Sequence, residues 1–300
     1  MARYLLLAVV GLAAQLVDGA LGMGYGVTSS SLLLVAGLTP AMASASVHLA
    51  ELGTNIASGV SHWRLGNVDW RLAATIGVPG AIGALAGATV LSRLSTEAAK
   101  PAMAAILGLL GMYILLRAAF RPPQLAAARR SPHRARFLVP LGLVGGFVDA
   151  SGGGGWGPVS TTSLLSAGRT APRTVIGSVD TSEFLVSAAA SIGFVTALGT
   201  AGIDWWIVAA LLAGGVIAAP VAAWLVSKIP AQVMGVAVGG LIVITNVRTL
   251  FAGTGITADQ ATLGYGTIAA VWVGLTAWQS VSHYRSVRAA RAAEEQEYTI

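Results

Sequence analysis

Gly152-Gly153-Gly154-Gly155-Trp156-Gly157-Pro158, preceded by Phe147-Val148-Asp149 and followed by Ser160-Thr161-Thr162, decides how this chain is read. Four consecutive glycines are not held in an ordinary helix, because each costs backbone entropy and exposes peptide groups. Apolar runs nevertheless flank them on both sides. A backbone broken inside an apolar segment is tolerated only where it is buried in protein or lines a cavity, and there its freed N–H groups can bind a ligand.

The stretch has an echo near the N-terminus, Val17-Asp18-Gly19-Ala20-Leu21-Gly22-Met23-Gly24-Tyr25-Gly26-Val27, followed by Ser29-Ser30-Ser31. Setting Asp18 on Asp149 places Gly22 on Gly153, Gly24 on Gly155, Tyr25 on Trp156, Gly26 on Gly157 and Ser29 on Ser160. A duplication in which both copies interrupt an apolar segment with glycine is the pattern of a transporter's central binding site.

Composition places the chain in a membrane. Of 300 residues 55% are hydrophobic and only 10% charged, with mean hydropathy +0.75, too apolar for a soluble domain of this length. The net charge of +6 comes from Lys and Arg concentrated in a few connections, so it reports topology and not nucleic-acid binding. With no cysteine, disulfides, thiolate metal sites and a cysteine nucleophile are excluded. Arg3 and the short apolar run after it have the outline of a signal peptide. The same run is the first arm of a repeat whose second copy is internal, so it is expected to remain.

The expected fold is an all-α polytopic membrane protein of two inverted-topology repeats, each opening with a Gly-broken helical hairpin followed by three transmembrane helices, plus one extra C-terminal transmembrane helix. Residues 1–118 are the first repeat, with a broken hairpin over 4–38 and spans near 41–62, 70–91 and 99–118. At about 34 residues the broken segment is too long for one helix across ~30 Å and its arms are short for two spans. A basic, Pro-interrupted linker over 119–136 leads to the second repeat, 137–251, with its hairpin over 137–168 and spans near 173–198, 203–227 and 231–251. The extra span falls within 252–284, and 285–300 is a tail.

Loops rich in Lys and Arg stay cytoplasmic, which puts the 63–71 loop, the central linker, Arg169 to Arg173, Lys228 and the tail inside. The connections at 199–203 and 252–260 lack such residues and are expected outside, as is 92–100 despite Arg93 and Lys100.

Beyond each hairpin lies a helix with ionisable residues about two turns in, where charge is costly and marks function. Ser46, Glu51 and Asn55 match Ser178, Glu183 and Ser187. Offsets of three and four residues place His48, Glu51 and Asn55 on one helix face, and Asp180, Glu183 and Ser187 on its equivalent. His48, Glu51, Asp180 and Glu183 are the proton-coupling candidates. Glu183 is favoured, since Asp180 puts a like charge one turn away, whereas His48 stands beside Glu51 as a counter-charge.

Other readings fit the same residues. Gly-rich breaks can serve close helix packing, the two carboxylates can be structural partners of freed backbone N–H groups, and Tyr25 and Trp156 can be packing residues. Gly22-x-Gly24-x-Gly26 lacks the spacing of a dinucleotide fingerprint, and the four histidines show no metal-ligand spacing. No metal, other cofactor or catalytic residue is expected, and the residues do not specify an oligomeric state.

If helices start at about Val27 and Val159, their free N–H groups and dipoles favour an anion, with hydroxyls added by Ser29, Ser30, Ser160, Thr161 and Thr162. The expected substrate site therefore comprises Gly22, Gly24, Tyr25, Gly26, Ser29 and Ser30 from the first break and Gly153, Gly154, Gly155, Trp156, Gly157, Ser160, Thr161 and Thr162 from the second, with Asn55 and Ser187 beside them. The expected partners are a small anion and the lipid bilayer. An anion or small-solute channel using the breaks as a filter is the alternative.

At these residues the chain resembles the TauE/SafE sulfite-exporter family. The resemblance rests on Gly152 to Pro158 with Leu164-Leu165, on Ile176-Gly177-Ser178-Val179, and on a looser first copy in which Met23 and Tyr25 interrupt the glycines and Val27 replaces the usual proline. It covers about residues 5–283 and implies an inner-membrane carrier of small sulfur-containing or organic anions, such as sulfite, sulfonates or sulfoacetate, with a proton gradient as driving force.

Overall fold

The computed structural model describes residues 2–21, 23–120, 132–167, 169–226, 231–251 and 257–297. Gly22, residues 121–131 of the linker, Lys228 and residues 252–256 lie outside the described residues. Among those described, the chain is all helical.

The first break separates α1 (Ala2–Leu21) from α2 (Tyr25–Val35), and α3 (Pro40–Arg64), α4 (Trp70–Arg93) and α5 (Thr96–Phe120) follow. The second separates α6 (Ala135–Gly152) from a π-helical turn, Gly157–Thr161, that runs into α7 (Thr162–Ser166). Then come α8 (Pro172–Leu198), α9 (Trp205–Val226), α10 (Ala231–Phe251) and α11 (Ala258–Glu297). Trp70–Arg93, Thr96–Phe120, Pro172–Leu198 and Gln232–Phe251 are each long and apolar enough to cross a membrane.

Local chemistry sets the ends of these helices. Thr39 caps α3 by accepting from the Met42 N–H, with Pro40 at the first helical position, and Asp69 caps α4 through the Arg71 and Leu72 N–H groups. Where α6 stops, Gly153 and Gly154 take φ of 73° and 147°, a region that glycine enters without the cost a side chain brings.

The helices pair across the two halves of the chain: α1 packs on α9, α4 on α6, α3 on α8 and α5 on α10. Exchanging the first five-element half for the second maps this set of pairs onto itself. Along α3 and α8 the numbering runs in opposite senses, since His48 stacks near Phe194, Asn55 meets Ser187 and Gly59 faces Thr181. The α5–α10 pair is antiparallel too, with Gly108, Gly111 and Leu115 facing Asn246, Ile242 and Gly239. By contrast α4 and α6 run parallel, so closely that a Cβ at Gly146 would lie 2.0 Å from the Gly80 carbonyl oxygen. Small residues at such crossings let backbones touch and supply packing that the bilayer itself does not drive.

Candidate functional site

The two breaks meet at the centre of this arrangement. A Cβ on Gly154 would lie 2.2 Å from the Val27 nitrogen, one on Gly26 would lie 2.8 Å from the Gly154 α-carbon, and one on Gly157 would lie 2.7 Å from the Met23 Cβ. The Ser30 hydroxyl donates across the junction to the Gly153 carbonyl. Between Gly26 and Gly154 the two backbones leave no room for a ligand, so this is a closed junction.

Each break is pinned by an aspartate that the sequence reading did not select. Asp18 Oδ1 accepts from the Tyr25 N–H at 3.3 Å, and Asp149 Oδ1 accepts from the Trp156 N–H at 3.0 Å, a reach of seven residues in both cases. The signal was in the repeat itself, which set Asp18 on Asp149 and Tyr25 on Trp156. These caps start the arms at Tyr25 and Trp156, earlier than the expected Val27 and Val159. The first N–H of each arm is therefore already bound to a carboxylate, which places negative charge at the end of the arm where an anion was expected.

Several expected ligand groups are used within the protein. Trp156 is fully buried and its indole N–H donates to the Val179 carbonyl at 3.0 Å, while the Tyr25 hydroxyl donates to the Leu211 carbonyl at 3.3 Å. Both aromatics thus tie a break to a helix of the second half. Thr162 donates to the Pro158 carbonyl, and Arg117 of α5 reaches the Thr162 carbonyl at 3.0 Å. Asn246 of α10, another residue not singled out, donates to Ser31 at 2.8 Å and fixes α2.

Other groups remain available. Ser29, Ser160 and Thr161 are buried in the second arms, and the hydroxyls of Thr28, Ser160 and Thr161 have no hydrogen-bond partner. Gly24, Gly153 and Gly155 form the turns of the breaks, Gly24 with φ of 120°.

The polar stripes of α3 and α8 face each other beneath this junction. Asn55 donates to Ser187 at 3.4 Å, Ser187 donates to Glu51 Oε2 at 3.2 Å, and His48 Nδ1 lies 3.0 Å from the same oxygen. His48 Nδ1 is also 3.8 Å from Asp149 Oδ2, and His48, Glu51 and Asp149 are all 2% exposed or less. Glu51 Oε1 has no hydrogen-bond partner and points at the first break, where a Cβ on Gly26 would lie 3.1 Å from it. Asp180 and Glu183 are only half-buried, with Asp180 beside Ser58 and His62 further along the stripes. Of the four proton-coupling candidates, His48 and Glu51 lie at the junction itself, and Glu183 lies close enough to feel the charges of Glu51, Asp149 and Asp18.

A family profile described as "Sulfite exporter TauE/SafE" matches residues 7–249. The chain belongs to this family. It is also 49% identical over 273 residues to the "Probable membrane transporter protein YtnM" of Bacillus subtilis (strain 168), covering 91% of this chain and 91% of that protein. No solved structure matches the chain. The TauE/SafE protein described here is accordingly a multi-pass membrane transporter, not an enzyme. Within it, the crossed breaks place irregular backbone, polar side chains and closely spaced carboxylates inside an apolar assembly.

Proposed function

We propose that this TauE/SafE protein is a secondary transporter that moves a small anion, a sulfur oxyanion or organosulfonate such as sulfite or sulfoacetate, across the cell's inner membrane by alternating access. The observation that carries the proposal is the meeting of two glycine breaks, from matched positions in the two halves, beside unpartnered buried hydroxyls. Parting of the breaks exposes the anion's ligands: backbone of Gly24, Gly26 and Gly153 to Gly157, and hydroxyls of Ser29, Ser160 and Thr161. Asn55 and Ser187 floor the site. The closed junction at Gly26 and Gly154 is then the state between inward and outward access.

Electrostatics ties the anion to protons. Asp18, Glu51 and Asp149 stand close to the same junction, so an anion entering it meets carboxylates in a medium that screens poorly. Neutralising them admits it, and anion and proton move together, with His48, Glu51, Asp180 and Glu183 as the groups that titrate. Flux separates this carrier from a channel using the same breaks: a carrier saturates and supports counterflow, whereas a channel passes single-channel current.

The two halves are proposed to be inverted repeats. The antiparallel α3–α8 and α5–α10 pairs support this, because equivalent helices of two halves with the same orientation would run parallel. Basic connections then put the linker and the C-terminus inside. Single cysteines at 125 and at 255, in a chain that has none, are expected to differ in labelling by an impermeant maleimide added outside, with only 255 reacting. Equal labelling would remove the inverted arrangement.

A further inference from the structure

A chain of polar contacts runs from an open cavity to the second break. A cavity of about 360 Å³ between α3, α4 and α8 has Asn55 in its wall. From there Asn55 contacts Ser187, Ser187 contacts Glu51, Glu51 contacts His48, and His48 faces Asp149, whose other oxygen holds the Trp156 N–H. Three secondary-structure elements and one break are joined by residues 7% exposed or less.

We propose that His48, Glu51 and Asp149 form a proton-binding site whose charge state sets whether the second break is capped. The proposal rests on the transporter reading for its use, but its structural part stands without an anion. With an imidazolium at His48, one cation lies between two carboxylates, at 3.0 Å from Glu51 and 3.8 Å from Asp149. Asp149 is then held in place and keeps its bond to the Trp156 N–H, the first amide of the second arm.

Removal of the proton changes this. The His48 Nδ1–H bond breaks and an O–H bond forms on Glu51 Oε2. A hydroxide ion or water molecule that reaches Glu51 then takes this proton, leaving His48 neutral and Glu51 again a carboxylate. Asp149 is left as a buried carboxylate without a cation, a costly state that it relieves by taking up a proton or by swinging away. Either response weakens the cap on Trp156 and frees the π-helical turn that follows. The groups facing Asp149 are His48 and Glu51 from α3, Glu183 from α8 and the Gly155 and Trp156 N–H groups of its own break. Those facing His48 are Glu51, Asp149 and the stacked Phe194 ring.

The first half lacks this device. Asp18 caps Tyr25 in the same way, but the position on α8 that matches His48 is Asp180. The proposal therefore assigns proton-dependent opening to the second break alone.

Hydrogen exchange of the backbone amides of residues 153–161, in the purified full-length protein and corrected for intrinsic rates, tests it over roughly pH 5 to 10, a range that spans histidine titration. Protection in the parent is expected to change in a single step, to become independent of pH in His48→Gln and in Asp149→Asn, and to keep its step in Asp18→Asn. Asp149→Asn retains an oxygen that can accept from Trp156, so the loss of response is separable from loss of the fold. No step in the parent, a step that persists in both second-half variants, or one lost equally in Asp18→Asn overturns the proposal. In proteoliposomes, accumulation of methanesulfonate driven by a pH gradient is expected in the parent and lost in Asp149→Asn. If the parent transports neither methanesulfonate nor sulfite while the exchange step behaves as expected, the transporter reading fails and the proton site stands.

Discussion

A Gly154→Val protein is expected to lose anion transport completely and to melt well below the parent, whereas Gly155→Ala should keep most of both. At Gly154 the φ of 147° lies where side chains are strained, and the new Cβ would sit 2.2 Å from the Val27 nitrogen and 2.3 Å from the Gly26 carbonyl carbon. Neither obstacle is a flexible side chain. Strain of about 1–3 kcal/mol from the backbone adds to about 1–3 kcal/mol from overpacking, a large part of a typical net stability. At Gly155 the nearest atoms are Val148 Cγ1 at 3.1 Å and Leu110 Cδ1 at 3.3 Å, side-chain ends that can shift. Thermal melting in detergent and flux in vesicles read both effects. Parental values for Gly154→Val would mean that the breaks do not touch.

The second large effect is expected at Glu51. Its Oε2 is the shared partner of His48 and Ser187, and the residue is 2% exposed. Truncation in Glu51→Ala leaves His48 with only the more distant Asp149 and leaves Ser187 without an acceptor. Breaking a buried charged pair from one side costs about 3–5 kcal/mol. For a chain of this size that corresponds to a fall in melting temperature on the order of ten degrees. Glu51→Gln preserves an oxygen at the same place and should fall by about half as much, the loss of one strong hydrogen bond being about 1.5–3 kcal/mol. Equal melting of the alanine variant and the parent would show that the α3–α8 polar contact contributes nothing to the fold.

These two sites also mark where sequence reading succeeds and where it stops. Glycine runs announce the breaks because no helix accommodates them, and the three- and four-residue offsets of His48, Glu51 and Asn55 fix a common face before any tertiary contact is known. The match of Asn55 with Ser187 goes further, since those two side chains meet. Asp18 and Asp149 were visible as matched residues, yet their role was not. Each reaches an amide seven residues away only because the intervening backbone turns through Gly24 or through Gly153 and Gly154. No helical or strand period encodes that reach. Trp156 was equally opaque: whether an indole N–H meets a ligand or the Val179 carbonyl depends on how α8 packs. The contact between the breaks at Gly26 and Gly154 is a tertiary fact of the same kind.

Those hidden features change the chemistry of the site more than its location. Read from residues alone, the breaks present neutral donors to an anion and Glu183 is the favoured proton carrier. In the folded chain carboxylates occupy the first amide of each arm, and the histidine of α3 stands against the second break. On the proposed reading, an anion entering a site with that balance of charge is expected to bring protons with it, and uptake of a sulfonate that is unchanged when the pH gradient is removed would contradict that.

Counterflow in proteoliposomes tests the central claim most directly. Vesicles containing the full chain are loaded with unlabelled sulfite, diluted into a trace of labelled sulfite and followed over time, then compared with vesicles loaded with methanesulfonate or with small carboxylates. A transient uptake overshoot is expected that saturates with the external concentration and is abolished by Gly154→Val. Flux that rises linearly without saturation, shows no overshoot and appears as single-channel current would contradict it, and so would the absence of flux for every sulfur anion beside robust counterflow of another solute.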